Sequence, residues 1–99
     1  MHIILWEYQV TAEKRTEFIK AYARNGAWAE LFRKAEGYLG TELMQSENQS
    51  ERFLTADRWV SKESFEAFKT QWNEKYKALD IQCEGLTKTE TLLGTWESI

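Results

Sequence analysis

The chain has 99 residues, 42% of them apolar, and a net charge of −3. That length makes one small domain, residues 1–99. Acids and bases are mixed, with no run of Lys or Arg, so the chain offers no footing to nucleic acid or an anionic membrane surface. No apolar run approaches the about 20 residues that span a bilayer. The start, Met1-His2-Ile3-Ile4-Leu5, passes straight into a strand pattern without a basic or cleavable leader, so a cytoplasmic protein is expected.

Five Trp, four Tyr and five Phe are many for this length. Large rings fill a core from few positions, and they also line pockets and interfaces. Cys83 is the only cysteine and His2 the only histidine. No internal disulfide can form, and this pair cannot make a transition-metal site by itself. Neither a metal nor a cofactor is expected.

Residues His2–Val10 read as a strand with Ile4, Trp6, Tyr8 and Val10 on one face and Ile3, Leu5, Glu7 and Gln9 on the other. Thr11 stands where a helix cap belongs, and Phe18, Ala21 and Tyr22 form the apolar face of the helix after it. Asn25-Gly26 breaks that helix as a left-handed or turn dipeptide. A second short helix covers Ala27–Ala35, with Trp28, Leu31 and Phe32 at helical spacing, and Gly37 ends it. Tyr38–Glu47 is a second strand, and polar residues through Glu51 turn it into a third.

The third strand carries Phe53, Thr55, Asp57 and Trp59 on one face and Leu54, Ala56, Arg58 and Val60 on the other. Ser61 caps the helix that follows, with Glu63 in its first turn. Phe65, Phe68, Trp72, Tyr76 and Leu79 then follow at spacings of three and four, so the Trp59 face should lie beneath Phe65 and Phe68. The helix bends or restarts near Gln71–Asn73 and stops near Gly85. Thr87–Trp96 reads as the last strand, with Gly94 a weak point or bulge.

The order βαββαβ is the ferredoxin-like α+β pattern: a four-stranded antiparallel sheet with its helices on one face. The other face is left bare and carries Ile3, Leu5, Leu54, Ala56 and Val60. Such a face marks an association surface, and the simplest closed solution is a homodimer packed sheet against sheet. Glu7 and Arg58 share that face and suggest a salt bridge in or across the seam.

Three blocks carry a family resemblance that spans essentially the whole chain. They are Ile4-Leu5-Trp6-Glu7-Tyr8 leading to Phe18, Gly37-Tyr38-Leu39-Gly40-Thr41-Glu42-Leu43, and Asp57-Arg58-Trp59-Val60-Ser61-Lys62-Glu63-Ser64-Phe65. In these the chain resembles the antibiotic biosynthesis monooxygenase family, small proteins of the dimeric α+β barrel type. The resemblance implies a substrate held between sheet and helices, and oxygenation of aromatic polyketides or degradation of haem. Trp59 matches the tryptophan that both kinds of enzyme use at the end of strand three.

The other polar positions depart from that pattern. The polyketide enzymes have Asn four residues before this Trp, where Thr55 stands, and Tyr six after it, where Phe65 keeps the ring without the hydroxyl. The haem degraders have His about ten residues after it, where Lys69 stands, and Asn on strand one, near Tyr8. No axial haem ligand remains at the expected place.

Asp57 is the sharpest candidate. A carboxylate on the helix-facing side needs a partner or is driven neutral. Thr55, Tyr8 and Lys69 are candidate partners, and a raised carboxyl there suits a general base that removes a phenol or enol proton. A structural Asp that ties down a neighbouring segment is the alternative. Catalytic roles are thus expected at Asp57, Trp59 and Thr55. Substrate contacts are expected at Tyr8, Trp6, Phe65, Lys69, Trp28, Trp72 and Tyr76; Tyr8, Trp6, Trp28, Trp72 and Tyr76 also read as core packing. Glu42 falls in the pocket or on the dimer face, depending on a one-residue slip.

The resulting expectation is a cofactor-independent monooxygenase of a small aromatic or enolisable metabolite. The alternative from another class is a non-catalytic dimeric binder of a small apolar ligand, and a dry aromatic core stays open as a third.

Overall fold

Alternating apolar positions and glycine- or polar-rich joints divide the chain into the elements of the computed structural model, which describes residues 1–99. These are β1 (His2–Gln9), α1 (Arg15–Tyr22), α2 (Ala27–Phe32), β2 (Tyr38–Gln45), β3 (Arg52–Trp59), α3 (Lys62–Gln71), α4 (Asn73–Gln82) and β4 (Thr89–Glu97). The sheet has the order β2-β3-β1-β4, with every neighbouring pair antiparallel. This is the ferredoxin-like α+β fold. No helix is long and apolar enough to cross a membrane.

Register decides what faces the helices. Tyr8 lies opposite Phe53, Trp6 opposite Thr55, and Ile4 opposite Asp57 on β1 and β3. Directly opposed residues share a face, so these side chains and Trp59 lie on the helix side. There Ile4, Tyr8, Phe53 and Trp59 meet Phe18, Tyr22, Trp28, Phe32 and Phe68 in one buried cluster. Phe18 stacks on Tyr22 with ring centroids 4.5 Å apart, and Trp59 lies 5.3 Å from Phe65 and 5.4 Å from Phe68. The aromatic-rich composition is thus spent on the layer between sheet and helices.

Local chemistry sets the joints. Ser61 is the N-cap of α3, its hydroxyl accepting from the Ser64 amide at 3.1 Å. Trp72 ends α3 and begins α4, which places the expected break. A register shift beside Gly94 makes the expected bulge in β4. A second shift, unexpected from the residue pattern, lies between Tyr38 and Gly40 on β2.

Several local expectations fail. Thr11 makes no side-chain cap, because the chain enters α1 through a 3-10 turn at Ala12–Lys14. Helix α2 is shorter than expected: the amides of Lys34 and Ala35 bond the carbonyls of Leu31 and Phe32, and this i to i−3 pattern closes the last turn. At Asn25-Gly26 the turn alternative holds, the Gly26 amide bonding the Ala23 carbonyl at 2.7 Å with φ −82° at Gly26. That residue is glycine for want of space, since a Cβ there would lie 2.6 Å from the Lys20 carbonyl oxygen.

The outer sheet face also differs. Glu7 pairs with Arg52, its carboxylate receiving Nε at 2.8 Å, and Arg58 approaches Glu42 at 3.4 Å, so the expected Glu7–Arg58 bridge does not form within the protomer. Arg52, next to Glu7's cross-strand neighbours, simply lies nearer. Glu42 is opposite Ala56 and exposed, which settles its register on the outer face. Ala56 is buried because it is short and its taller sheet neighbours cover it, while Ile3, Leu5 and Leu54 are half-buried. Val60 is exposed.

Candidate active site

A cavity of about 160 Å³ lies between the inner face of the sheet and the helices. Its floor is Ile4, Trp6 and Tyr8 of β1 with Thr55 and Asp57 of β3. Thr41 of β2 and Glu90 of β4 flank them. The helices supply Tyr22, Trp28, Phe32, Phe65, Tyr76 and Asp80. Every strand and every helix therefore contributes a wall. An apolar cavity of about 150 Å³ holds one benzene ring, so this space is sized for a single ring.

Asp57 is held by a short chain of hydroxyls. Thr41 Oγ1 donates to Asp57 Oδ1 at 2.7 Å. Thr41 has a single hydroxyl hydrogen, so Tyr38 must be the donor in the 2.6 Å contact between Tyr38 Oη and Thr41 Oγ1. The chain runs Tyr38 to Thr41 to Asp57. Most of the surroundings of Asp57 are protein, with the remainder open to the cavity. Burial pushes its carboxyl up to about 6, with the Thr41 hydrogen bond pulling the other way. None of the expected partners, Thr55, Tyr8 or Lys69, bonds it; the register of β2 against β3 brings Thr41 opposite instead.

Tyr8 and Thr55 satisfy each other, Oη to Oγ1, at 2.9 Å. Burial raises the Tyr8 phenol far above its ordinary value, so it stays a neutral hydroxyl. Tyr22 Oη donates to Glu90 Oε1 at 3.0 Å, and burial followed by the Glu90 charge raises its phenol too.

Of the positions expected from sequence, Asp57, Thr55, Tyr8, Trp6, Phe65, Trp28 and Tyr76 line the cavity together. Trp59, Lys69 and Trp72 do not. Trp59 is fully buried, in ring contact with Phe32, Tyr38, Phe65 and Phe68, and backs the wall from behind. Lys69 is exposed, its ammonium 4.6 Å from the Tyr76 ring centroid. Trp72 sits at the joint between α3 and α4, with the Lys34 ammonium 5.7 Å from its ring. The indole N–H groups of Trp28, Trp59 and Trp72 are buried without partners.

Sequence reasoning missed Thr41, Tyr22, Asp80 and Glu90, and with them the apolar Ile4 and Phe32. Two were readable: Asp80 follows Tyr76 by one helical turn, and Glu90 shares strand parity with Leu92. Thr41 was hidden by the bulge in β2, and Tyr22 reads as core by its spacing.

The family model for antibiotic biosynthesis monooxygenases matches residues 1–78. The chain belongs to the antibiotic biosynthesis monooxygenase family. Solved structures agree on the fold of this family member. SnoaB, a cofactor-independent oxygenase from Streptomyces nogalater, superposes with a TM-score of 0.72 at 14% identity, covering 99% of this chain and 92% of that one. A candidate antibiotic biosynthesis monooxygenase from Bordetella bronchiseptica gives 0.77 at 14% identity over 99% and 96% of the two chains. A Bacteroides thetaiotaomicron protein of unknown function gives 0.71 at 17% identity over 98% and 96%. A sequence comparison with curated proteins finds no match. Within the family-matched segment lie the cavity floor, Thr41, Asp57, Phe65 and Tyr76; Asp80 and Glu90 lie beyond it.

Proposed function

We propose that this family member is a cofactor-independent monooxygenase of a small, single-ring phenolic or enolisable metabolite, working as a homodimer joined through the outer sheet face. The observation that carries this reading is a carboxylate with a raised pKa opening on a one-ring aromatic cavity. Family membership supports the reaction class.

Asp57 takes the phenol proton. The resulting anion carries carbanion character on the ring and transfers one electron to dioxygen. The radical pair recombines as a carbon–oxygen bond, and the peroxide receives the proton held by Asp57. Loss of the ring C–H proton and cleavage of the O–O bond release water and leave a second carbonyl. The balance is phenol plus dioxygen to quinone plus water. The aromatic walls exclude bulk water and hold the ring against the base, with Trp59 as their support.

Oxygen uptake with a panel of dihydroxyphenols tests this. The unaltered protein should consume one dioxygen per substrate, and Asp57→Asn should slow turnover about 100- to 10,000-fold, the usual contribution of a general base. Turnover that survives Asp57→Asn removes Asp57 as the base; no uptake with any phenol or enol removes the oxygenase reading.

One observation favours a second reading, a non-catalytic binder. The hydroxyls of Tyr8 and Thr55 are committed to each other, and Phe65 brings no hydroxyl, which leaves few groups to steer a reaction. A binder would show ligand-dependent quenching of tryptophan fluorescence and no oxygen uptake.

A further inference from the structure

The charge of the cavity is one-sided. Asp57 stands on its floor, while Asp80 and Glu90 occupy exposed positions on the same lining. No Lys, Arg or His lines it. The ion pairs of the molecule are Glu7–Arg52, Glu42–Arg58 and Lys62–Glu66, and none uses these acids. Their hydrogen bonds come from neutral hydroxyls, Thr41 to Asp57 Oδ1 and Tyr22 to Glu90 Oε1. The fold thus sets three carboxylates around one cavity with no cationic side chain on its lining, a negative potential that favours a cationic ligand.

The rings act in the same sense. Trp and Tyr faces carry negative potential that attracts ammonium groups. The Trp28 and Tyr76 rings meet edge to face at 5.1 Å, and Tyr22 lies 6.3 Å from Trp28, so three such rings stand together on the helix side. The protein's own Lys69 already rests 4.6 Å from the Tyr76 ring centroid, from outside the lining. The carboxylates do not converge as a group of three that could hold a metal ion, so the geometry favours an organic cation.

We infer that the ligand of this cavity is a single-ring phenol bearing a protonated amine. This rests on the reading of the cavity as the substrate site. The hydroxyl faces Asp57, and the ammonium lies toward Asp80 and Glu90, whose exposure lets it keep part of its hydration. The ring fills the space between, against Tyr22, Trp28 and Tyr76.

Three probes of similar size and different charge test this: tyramine, para-ethylphenol and para-hydroxyphenylpropionate. Binding is read by tryptophan fluorescence at low salt and neutral pH. Tyramine should bind about 10-fold more tightly than the neutral phenol, and the propionate most weakly. The double variant Asp80→Asn/Glu90→Gln should narrow the gap between tyramine and para-ethylphenol to within about 2-fold, since these two carboxylates supply most of the preference. Glu66→Gln, a surface acid paired with Lys62, should leave the gap in place. Equal or tighter binding of the neutral or anionic probe overturns the inference, as does a gap that survives the double variant. Displacement of tyramine by magnesium or zinc chloride would also overturn it. Tyramine preference without oxygen uptake upholds it while removing the oxygenase reading; oxygen uptake without the preference does the reverse.

Discussion

At Asp57 one side chain controls chemistry and stability in opposite directions. As a base it must be ionised, so turnover should rise with pH and level off above about 6. Thr41→Val removes the hydroxyl that steadies the carboxylate and should move this limb to higher pH, measured as kcat/KM against pH. For stability the sign reverses. The folded carboxyl sits above its ordinary 3.8, so the fold prefers the neutral form. That contribution is full below the ordinary value and is lost as pH rises through about 6. The shift corresponds to about 3 kcal/mol. Asp57→Asn should therefore raise stability by about 1–3 kcal/mol near neutral pH, with the gain vanishing in mild acid. Thermal melts at two pH values check it; a variant that is less stable at both would show that the Asp57 carboxylate is structural. Trp59→Ala should cost about 3–5 kcal/mol, as for a buried large ring, and should also loosen Phe32 and Phe65 on the cavity wall.

At the scale of elements, the entry into β2 and the start of α3 depend on each other. Gly37 has φ +89°, and a Cβ there would lie 2.7 Å from Ser64 Oγ. Its carbonyl accepts the Val60 amide at 2.7 Å, which ties the chain before β2 to the end of β3. Gly37→Ala should cost about 1–3 kcal/mol from backbone conformation alone, plus the clash. Adding Ser64→Gly should relieve the clash and leave the backbone cost, as read by urea unfolding of the single and double variants. Ser61→Ala removes the α3 cap and should cost about 1 kcal/mol. Because α3 carries Phe65 and the cavity floor lies on β1 and β3, these joints set how far the aromatic wall stands from Asp57.

At the scale of the whole molecule, the helices cover one face of the sheet and leave the other bare, the face through which the proposed dimer would form. Ile3, Leu5 and Leu54 are half-buried on that face, and Trp96, opposite Ile3 on β4, is 58% exposed. A large ring left this open at the sheet edge is what an isologous contact would cover. Light scattering after gel filtration should give a dimer, and Leu5→Asp should give a monomer that keeps its fold by circular dichroism. An unaltered protein that remains a monomer at micromolar concentration would remove the dimer from the proposal.

The sequence by itself determined the βαββαβ order, the two faces of β1 and β3, the Ser61 cap and the inward aspect of Asp57. All of these follow from short-range periodicity and turn chemistry, which a chain expresses locally. Tertiary structure decided what those signals leave free. The bulge between Tyr38 and Gly40 set the β2 register, and with it Thr41 became the partner of Asp57 while Glu42 turned outward. Antiparallel pairing of β4 with β1 carried Glu90 to the cavity beside Tyr22. Trp59, whose spacing fits either role, went to the core because four rings close on it from two layers. Which side chains share a space depends on contacts between residues far apart in sequence, and no local pattern encodes that distance.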